Sequence, residues 1–192
     1  MKKISLDSNS DLVSESEKAI AERVRSGRTL AVSWMGIERK SSGRVSDYLS
    51  RHGYHQDEIA LILTSLHDDD YLDDERLARR ILRSRQGRQA ESRLALFQRM
   101  IRLGLDENAI ENVLSADEPD DDQTAKILLE QRYARAITDL ISDKNQGDSK
   151  AFGRQRYELA AKAARFLASR GFSQATICKA LAQVGLTIDS FD

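Results

Sequence analysis

Three times along the chain a glycine stands in the same frame of apolar residues. LSRHGYHQDEIALIL surrounds Gly53, MIRLGLDENAIENVL surrounds Gly104, and LASRGFSQATICKAL surrounds Gly171. An apolar residue lies four positions before each glycine (Leu49, Met100, Leu167) and another directly after it (Tyr54, Leu105, Phe172). An isoleucine follows at six positions (Ile59, Ile110, Ile177) and a leucine at ten (Leu63, Leu114, Leu181). A helix can end on a glycine in the left-handed C′ position, which penalises a Cβ, and the apolar residue beyond it packs back on the last turn. Asp106 and Ser173 then cap a second helix well, and His55 caps one poorly. Each frame predicts a helix–Gly–helix corner, with Ile59, Ile110 and Ile177 buried on the second helix.

The glycines are 51 and 67 residues apart, which leaves room for one more helix between corners. The first such helix opens at Asp73 and Asp74, where acids suit the dipole. It runs an apolar stripe through Leu77, Ala78, Ile81 and Leu82. The second spans about 123–142, with Ile127, Leu128, Ala134 and Ile137 on its apolar side. Residues 16–35 supply the helix before Gly53, with a less regular pattern. The fold class expected is all-α: three tandem three-helix repeats at 16–70, 71–116 and 120–186, stacked because each alone buries little core. Residues 1–15 are expected to be a disordered tail. The acidic stretch 116–122, with the chain's single proline Pro119, is expected to be a linker, and 143–150 a loop. That one proline in 192 residues also argues against a sheet protein.

Catalysis needs a nucleophile beside a base, paired carboxylates in a pocket, or a metal. The three histidines, His52, His55 and His67, match no usual ligand spacing. The Asp68–Glu75 run lacks the central glycine of a calcium loop. Cys178 is alone, so no intramolecular disulfide forms, and next to Ile177 it is expected to be a half-buried structural thiol. The reading is therefore a non-enzyme with no catalytic residues, no metal and no cofactor. No apolar run approaches a membrane span and no signal core follows Met1, so the address expected is cytoplasmic.

Charge offers more. The net charge of −1 divides unevenly. Five acids and no base occupy 116–122, while residues 73–115 hold 9 basic against 7 acidic side chains and 123–192 hold 11 against 7. Arg76, Arg80 and Arg83 fall at i, i+4 and i+7, opposite the apolar stripe. Arg79 widens this face, and Arg85 and Arg88 continue it. Arg154, Arg156, Lys162, Arg165 and Arg170 form a second basic group before the third corner. Arginine forks bind carboxylates and phosphates, so both groups are candidate partner-binding surfaces. By contrast, the segments after the glycines (55–65, 106–115 and 173–183) hold Lys179 as their only Lys or Arg. A recognition helix without such residues reads a DNA groove poorly.

Two stretches, YLDDERLARRILRSR (71–85) and KAARFLASRGFSQATICKAL (162–181), resemble the RecX family of bacterial regulators of the RecA recombinase. Leu72, Asp73, Asp74, Arg76 and Ala78 match the opening of the family's middle module, with Leu77 in place of Phe. Lys162, Arg165, Phe166, Leu167, Arg170, Gly171, Phe172 and Ile177 match its final corner. Ser41 and Val45 fit the opening of the first module, but Arg44 replaces an acid there. GRQAESRLAL (87–96) lacks the family's Gly-x-Gly-Pro. The resemblance implies three stacked modules in an elongated, curved molecule. It further implies a monomer that binds RecA filaments on DNA and restrains recombinase and coprotease activity in the SOS response. Single- or double-stranded DNA is a further candidate partner. A helical DNA-binding regulator and a general helical scaffold are the alternatives.

Overall fold

The computed structural model describes residues 7–37, 39–116, 120–143 and 149–186. Among these the fold is all-helical. Its elements are α1 (Asp7–Met35), α2 (Ser42–Arg51), α3 (Gln56–Asp68), α4 (Asp74–Ser84), α5 (Arg93–Arg102), α6 (Glu107–Ala116), α7 (Asp121–Asp143), α8 (Ser149–Ser169) and α9 (Gln174–Gln183), with one 3-10 turn at Gly87–Gln89. The first helix takes in positions 7–15, which the sequence reading gave to the tail. Helix α7 begins at Asp121, inside the expected linker: Asp120 caps it, its carboxylate accepting from the backbone N–H of Asp122 at 2.9 Å. Residues 1–6, 117–119 and 144–148 lie outside the described residues, and with them Pro119 and most of the expected loop.

All three corners form. Gly53, Gly104 and Gly171 have φ of 81°, 79° and 82°, each between two helices. At two of them the Tyr54 and Phe172 N–H groups reach back to the Leu49 and Leu167 carbonyls, at 3.2 and 3.3 Å. The end of α9 repeats the device at Gly185 (φ 77°), with Leu186 N–H donating to the Leu181 carbonyl at 2.8 Å. Ile59, Ile110 and Ile177 are all buried, as the frame required.

The chain divides into two compact units. One takes in residues up to Leu77 together with Leu103–Glu107, and the other Ala78–Arg102 and everything from Asn108 on. In the first, Ala31 and Met35 of α1, Val45 and Leu49 of α2, and Ile59, Ile62 and Leu66 of α3 close one core. In the second, Ala125, Leu128 and Leu129 of α7 meet Ala160, Ala163 and Leu167 of α8 and Ile177, Ala180 and Leu181 of α9. Two expected apolar positions of α7, Ile127 and Ala134, are exposed instead. The inward stripe runs through 125, 128 and 129, at i, i+3 and i+4, which turns 127 and 134 outward. Cys178 is exposed rather than half-buried, because it sits one step round α9 from the inward residues Ile177 and Leu181.

Within each unit a helix N-terminus grips a corner. In the first unit, Ser41 Oγ donates to the Leu103 carbonyl at 2.7 Å and Gly43 N–H to the Gly104 carbonyl at 2.8 Å. Asp74 accepts from Ser42 N–H at 3.1 Å and from Asp106 N–H at 2.8 Å. In the second unit, Ser92 N–H donates to the Arg170 carbonyl at 3.1 Å and Ser92 Oγ to the Gly171 carbonyl at 2.7 Å. Asp121 accepts from Arg93 N–H at 2.8 Å. Ser41 and Ser92 each stand twelve residues before a corner glycine, so the clasp is the same device built twice. It also explains why Leu103–Glu107 belongs to the first unit while its flanking helices do not.

Candidate functional site: basic helical faces

Helix α4 starts cleanly because Asp73 accepts from Arg76 N–H at 2.8 Å, a capping interaction that satisfies one of the helix's orphan donors. Its apolar stripe then turns Ala78 and Leu82 inward, with Leu77 and Ile81 half-buried beside them. The opposite side of the same helix carries Arg76, Arg79, Arg80 and Arg83, all exposed. No ion pair or hydrogen bond joins the guanidinium groups of Arg76, Arg80 and Arg83 to other described residues. Their donors are therefore available to an external anion.

Two arginines of the expected faces serve the fold instead. Arg85 turns toward the buried Glu91 at 3.6 Å. Glu91 is already held by a two-pronged contact from Arg99, at 2.9 and 2.6 Å. The hydrogen bonds from Arg99 outweigh burial and hold the Glu91 carboxyl below its ordinary range. Arg170 donates to the Ala90 carbonyl at 3.3 Å and lies over the Phe166 ring, 5.4 Å from its centroid. Sequence spacing put both on surfaces because helical periodicity says nothing of a partner beyond the helix itself, Glu91 after the end of α4 or Ala90 eighty residues before Arg170.

The face of α8 is mixed. Arg154 pairs with Glu158 one turn on, at 3.1 Å, and Arg156 is half-buried. Lys162 and Arg165 are exposed and make no polar contact with other described residues. Sequence reasoning missed Arg132 altogether. This residue of α7 lies over the Phe166 ring at 4.5 Å and, with Arg88, Leu128 and Gln131, lines a cleft of about 240 Å³. An arginine between the expected apolar positions Leu128 and Ala134 carried no signal of its own; only the packing of α7 on α8 pairs it with that ring.

Lys179 is neutralised: its ammonium donates to Asp122 at 2.9 Å, and the pairing raises the lysine's pKa and lowers the acid's. The one Lys or Arg of the segments following the corners is therefore paired with an acid. Among the described residues no group of three His, Cys, Asp or Glu side chains could hold a metal, and no helix is long and apolar enough to cross a membrane. The arrangement is suited to binding anionic surfaces through guanidinium groups.

No family model matches the chain. Among curated proteins, the regulatory protein RecX of Streptococcus pyogenes serotype M2 is 27% identical over 118 residues, 62% of this chain and 43% of that protein. RecX of Streptococcus mutans serotype c is 28% identical over 88 residues, 46% of this chain and 34% of its own length. The matched segments thus span less than half of these relatives. Among solved structures, RecX from Lactobacillus salivarius superposes with a TM-score of 0.57 at 19% identity, over 86% of this chain and 99% of that one. A second crystal structure of regulatory protein RecX gives 0.57 at 16% identity, over 96% and 80%. The chain is thus similar in sequence to regulatory proteins named RecX and similar in fold to solved RecX structures.

Proposed function

We propose that this chain is a non-catalytic cytoplasmic regulator that binds RecA filaments on DNA as a monomer and restrains recombination and the SOS response. The nine helices among the described residues are taken as three tandem repeats, α1–α3, α4–α6 and α7–α9. The observation that carries the reading is the set of Arg76, Arg80 and Arg83 on one side of α4, exposed and offering unused guanidinium donors, in a relative of proteins named as RecX regulators. A nucleoprotein filament presents both carboxylates and phosphates, and guanidinium forks bind either. Lys162 and Arg165 on α8 supply a second contact.

The test is the ATPase and strand-exchange activity of RecA on single-stranded DNA, with and without this protein. Saturating protein should depress both. Charge reversal at Arg76, Arg80 and Arg83 together should weaken that effect while leaving helicity intact, since surface changes of this kind stay within about 0.5 kcal/mol of stability. RecA activity untouched by saturating wild-type protein would leave a helical scaffold as the better reading.

A further inference from the structure

The segment joining α1 to α2 brings together three rings that no core requires. Trp34, one residue before the end of α1, stacks on Tyr48 of α2 with ring centroids 4.3 Å apart and planes within 10°. Tyr48 is covered in turn by His52, at 4.2 Å and a tilt of 43°. The rings stand in a row with Tyr48 in the middle. His52 Nδ1 lies 2.8 Å from the Tyr48 carbonyl oxygen. A carbonyl only accepts, so Nδ1 carries the proton, and the ring is held across the tyrosine.

Both ends of the row are open. His52 is exposed, and Trp34 remains 36% exposed although a ring covers one of its faces. Neighbouring Met35 turns inward and is buried, so burial was available on this turn of α1 and Trp34 does not take it. No further ring and no cation stands against Trp34 or His52 among the described residues.

The surroundings are basic. Arg44, Tyr48, Arg51 and His52 fall at i, i+4, i+7 and i+8 on α2, which places them on one side of the helix. Arg39 precedes them in the connecting segment. All three arginines are exposed and make no polar contact with other described residues through their side chains. Between positions 39 and 52 they are opposed by a single acid, Asp47.

We propose that this face binds single-stranded nucleic acid, with unpaired bases extending the ring row at Trp34 and His52 and phosphates held by Arg44 and Arg51. Open π-faces beside unpaired cations are what a single strand needs, because every base has a face to stack and every linkage carries a charge. In a duplex the base faces are already covered. An apolar protein surface would use the rings but leave three guanidinium charges without partners. The site acts without any recombinase, so it stands or falls separately from the function proposed above.

Trp34 is the only tryptophan in the chain, so its emission reports on this face alone. The intact protein is titrated with oligothymidylate at low salt while tryptophan emission is followed, and affinity is read from the anisotropy of a labelled strand. Stacking should quench Trp34, and a duplex of equal length should quench it less. Trp34→Leu and His52→Ala should each weaken binding about 5- to 150-fold, the range expected for losing one base-stacking contact. The double variant R44E/R51E should make the log–log salt dependence shallower by about 1.4, from two lost phosphate contacts on a single strand. Far-UV circular dichroism and the melting temperature confirm that each variant is folded. Strand binding with unchanged emission, wild-type affinity in Trp34→Leu, or equal quenching by the duplex would each overturn the assignment. Absence of binding at low salt would also overturn it. Failure here alongside intact restraint of RecA removes this site alone.

Discussion

The corners at Gly53 and Gly171 have almost the same backbone, with φ of 81° and 82°, and quite different surroundings. A Cβ added at Gly53 would meet nothing within 4 Å. One added at Gly171 would lie 2.7 Å from Ala95 Cβ and 2.9 Å from Ser92 Oγ. Gly104 is like Gly171, with Ser41 Oγ at 3.1 Å and the Arg44 backbone nitrogen at 3.2 Å. The difference follows from packing: Gly104 and Gly171 are gripped by the N-terminal end of an earlier helix, α2 or α5, whereas the Gly53 carbonyl accepts from the long Arg23 side chain of α1, at 3.0 Å. One local pattern therefore carries two duties. At Gly53 the glycine relieves backbone strain, and at the other two it also admits a neighbouring chain.

The sharpest way to break this contrast is to add the same methyl group at both ends of it. Gly53→Ala should cost about 1–2 kcal/mol, the penalty of a left-handed non-glycine residue. Gly171→Ala adds overpacking of about 1–3 kcal/mol against Ala95 and Ser92, for about 2–5 kcal/mol in all. Denaturant unfolding of the two variants measures the difference directly. Equal costs would mean that the α5 end moves aside freely and the clasp contributes little.

The acids of the two clasps give a second, smaller contrast. Asp74 is buried and accepts from two backbone N–H groups, those of Ser42 and Asp106, and from the Ser42 hydroxyl. Asp121 accepts one N–H, from Arg93. Asp74→Ala should therefore cost about 2–4 kcal/mol and Asp121→Ala about 1 kcal/mol, in proportion to the donors left without partners. Hydrogen exchange at the Ser42 and Asp106 amides should accelerate in the first variant only. A larger loss from Asp121→Ala would show that its place at the start of α7 matters more than its hydrogen bond.

What could be read from the sequence divides along the same line. A helix ending is local, so Gly53, Gly104 and Gly171 announced their corners, and the isoleucines six residues on were rightly expected inside. The cap at Gly185 has the same Leu181–Gly185–Leu186 spacing and escaped notice because that spacing alone is a weaker signal than the full frame with its isoleucine at six and leucine at ten. The clasps were not legible: Ser41 meets Leu103 and Ser92 meets Gly171, and a serine twelve residues before a glycine has many other uses. The candidate surfaces behave alike. Helical periodicity sufficed to turn Arg76, Arg80 and Arg83 outward, since they oppose Ala78 and Leu82 on one helix. It could not show that Arg85 is drawn to Glu91 or Arg170 to Ala90 and Phe166. Nor could it show Trp34 against Tyr48, because that stack depends on how α1 and α2 pack.

Acid separates the two units in direction as well as in size. In the first, hydrogen bonds from Arg23 and then from the His55 backbone N–H, at 2.8 Å, hold the Glu58 carboxyl down to about 2, against an ordinary 4.5. The unfolded chain takes up that proton first, so this acid's stabilising contribution is complete above pH 4.5 and is lost as pH falls toward about 2. In the second, burial pushes the Asp121 carboxyl above its ordinary 3.8, with Asp120 and Asp122 adding to the rise and the Arg93 N–H opposing it. Here the folded state holds the proton more tightly, so the contribution is present below pH 3.8 and is lost as pH rises through the folded value. Glu58→Gln should flatten the fall in stability between pH 4.5 and 2, and Asp121→Asn should steepen it by removing the opposing group. Denaturant unfolding at a series of pH values reads both slopes. A Glu58→Gln variant that keeps the wild-type slope would show that the Arg23 contact contributes nothing to acid sensitivity, and that α1 is held on α3 by the Ala31, Met35, Ile59 and Ile62 core alone.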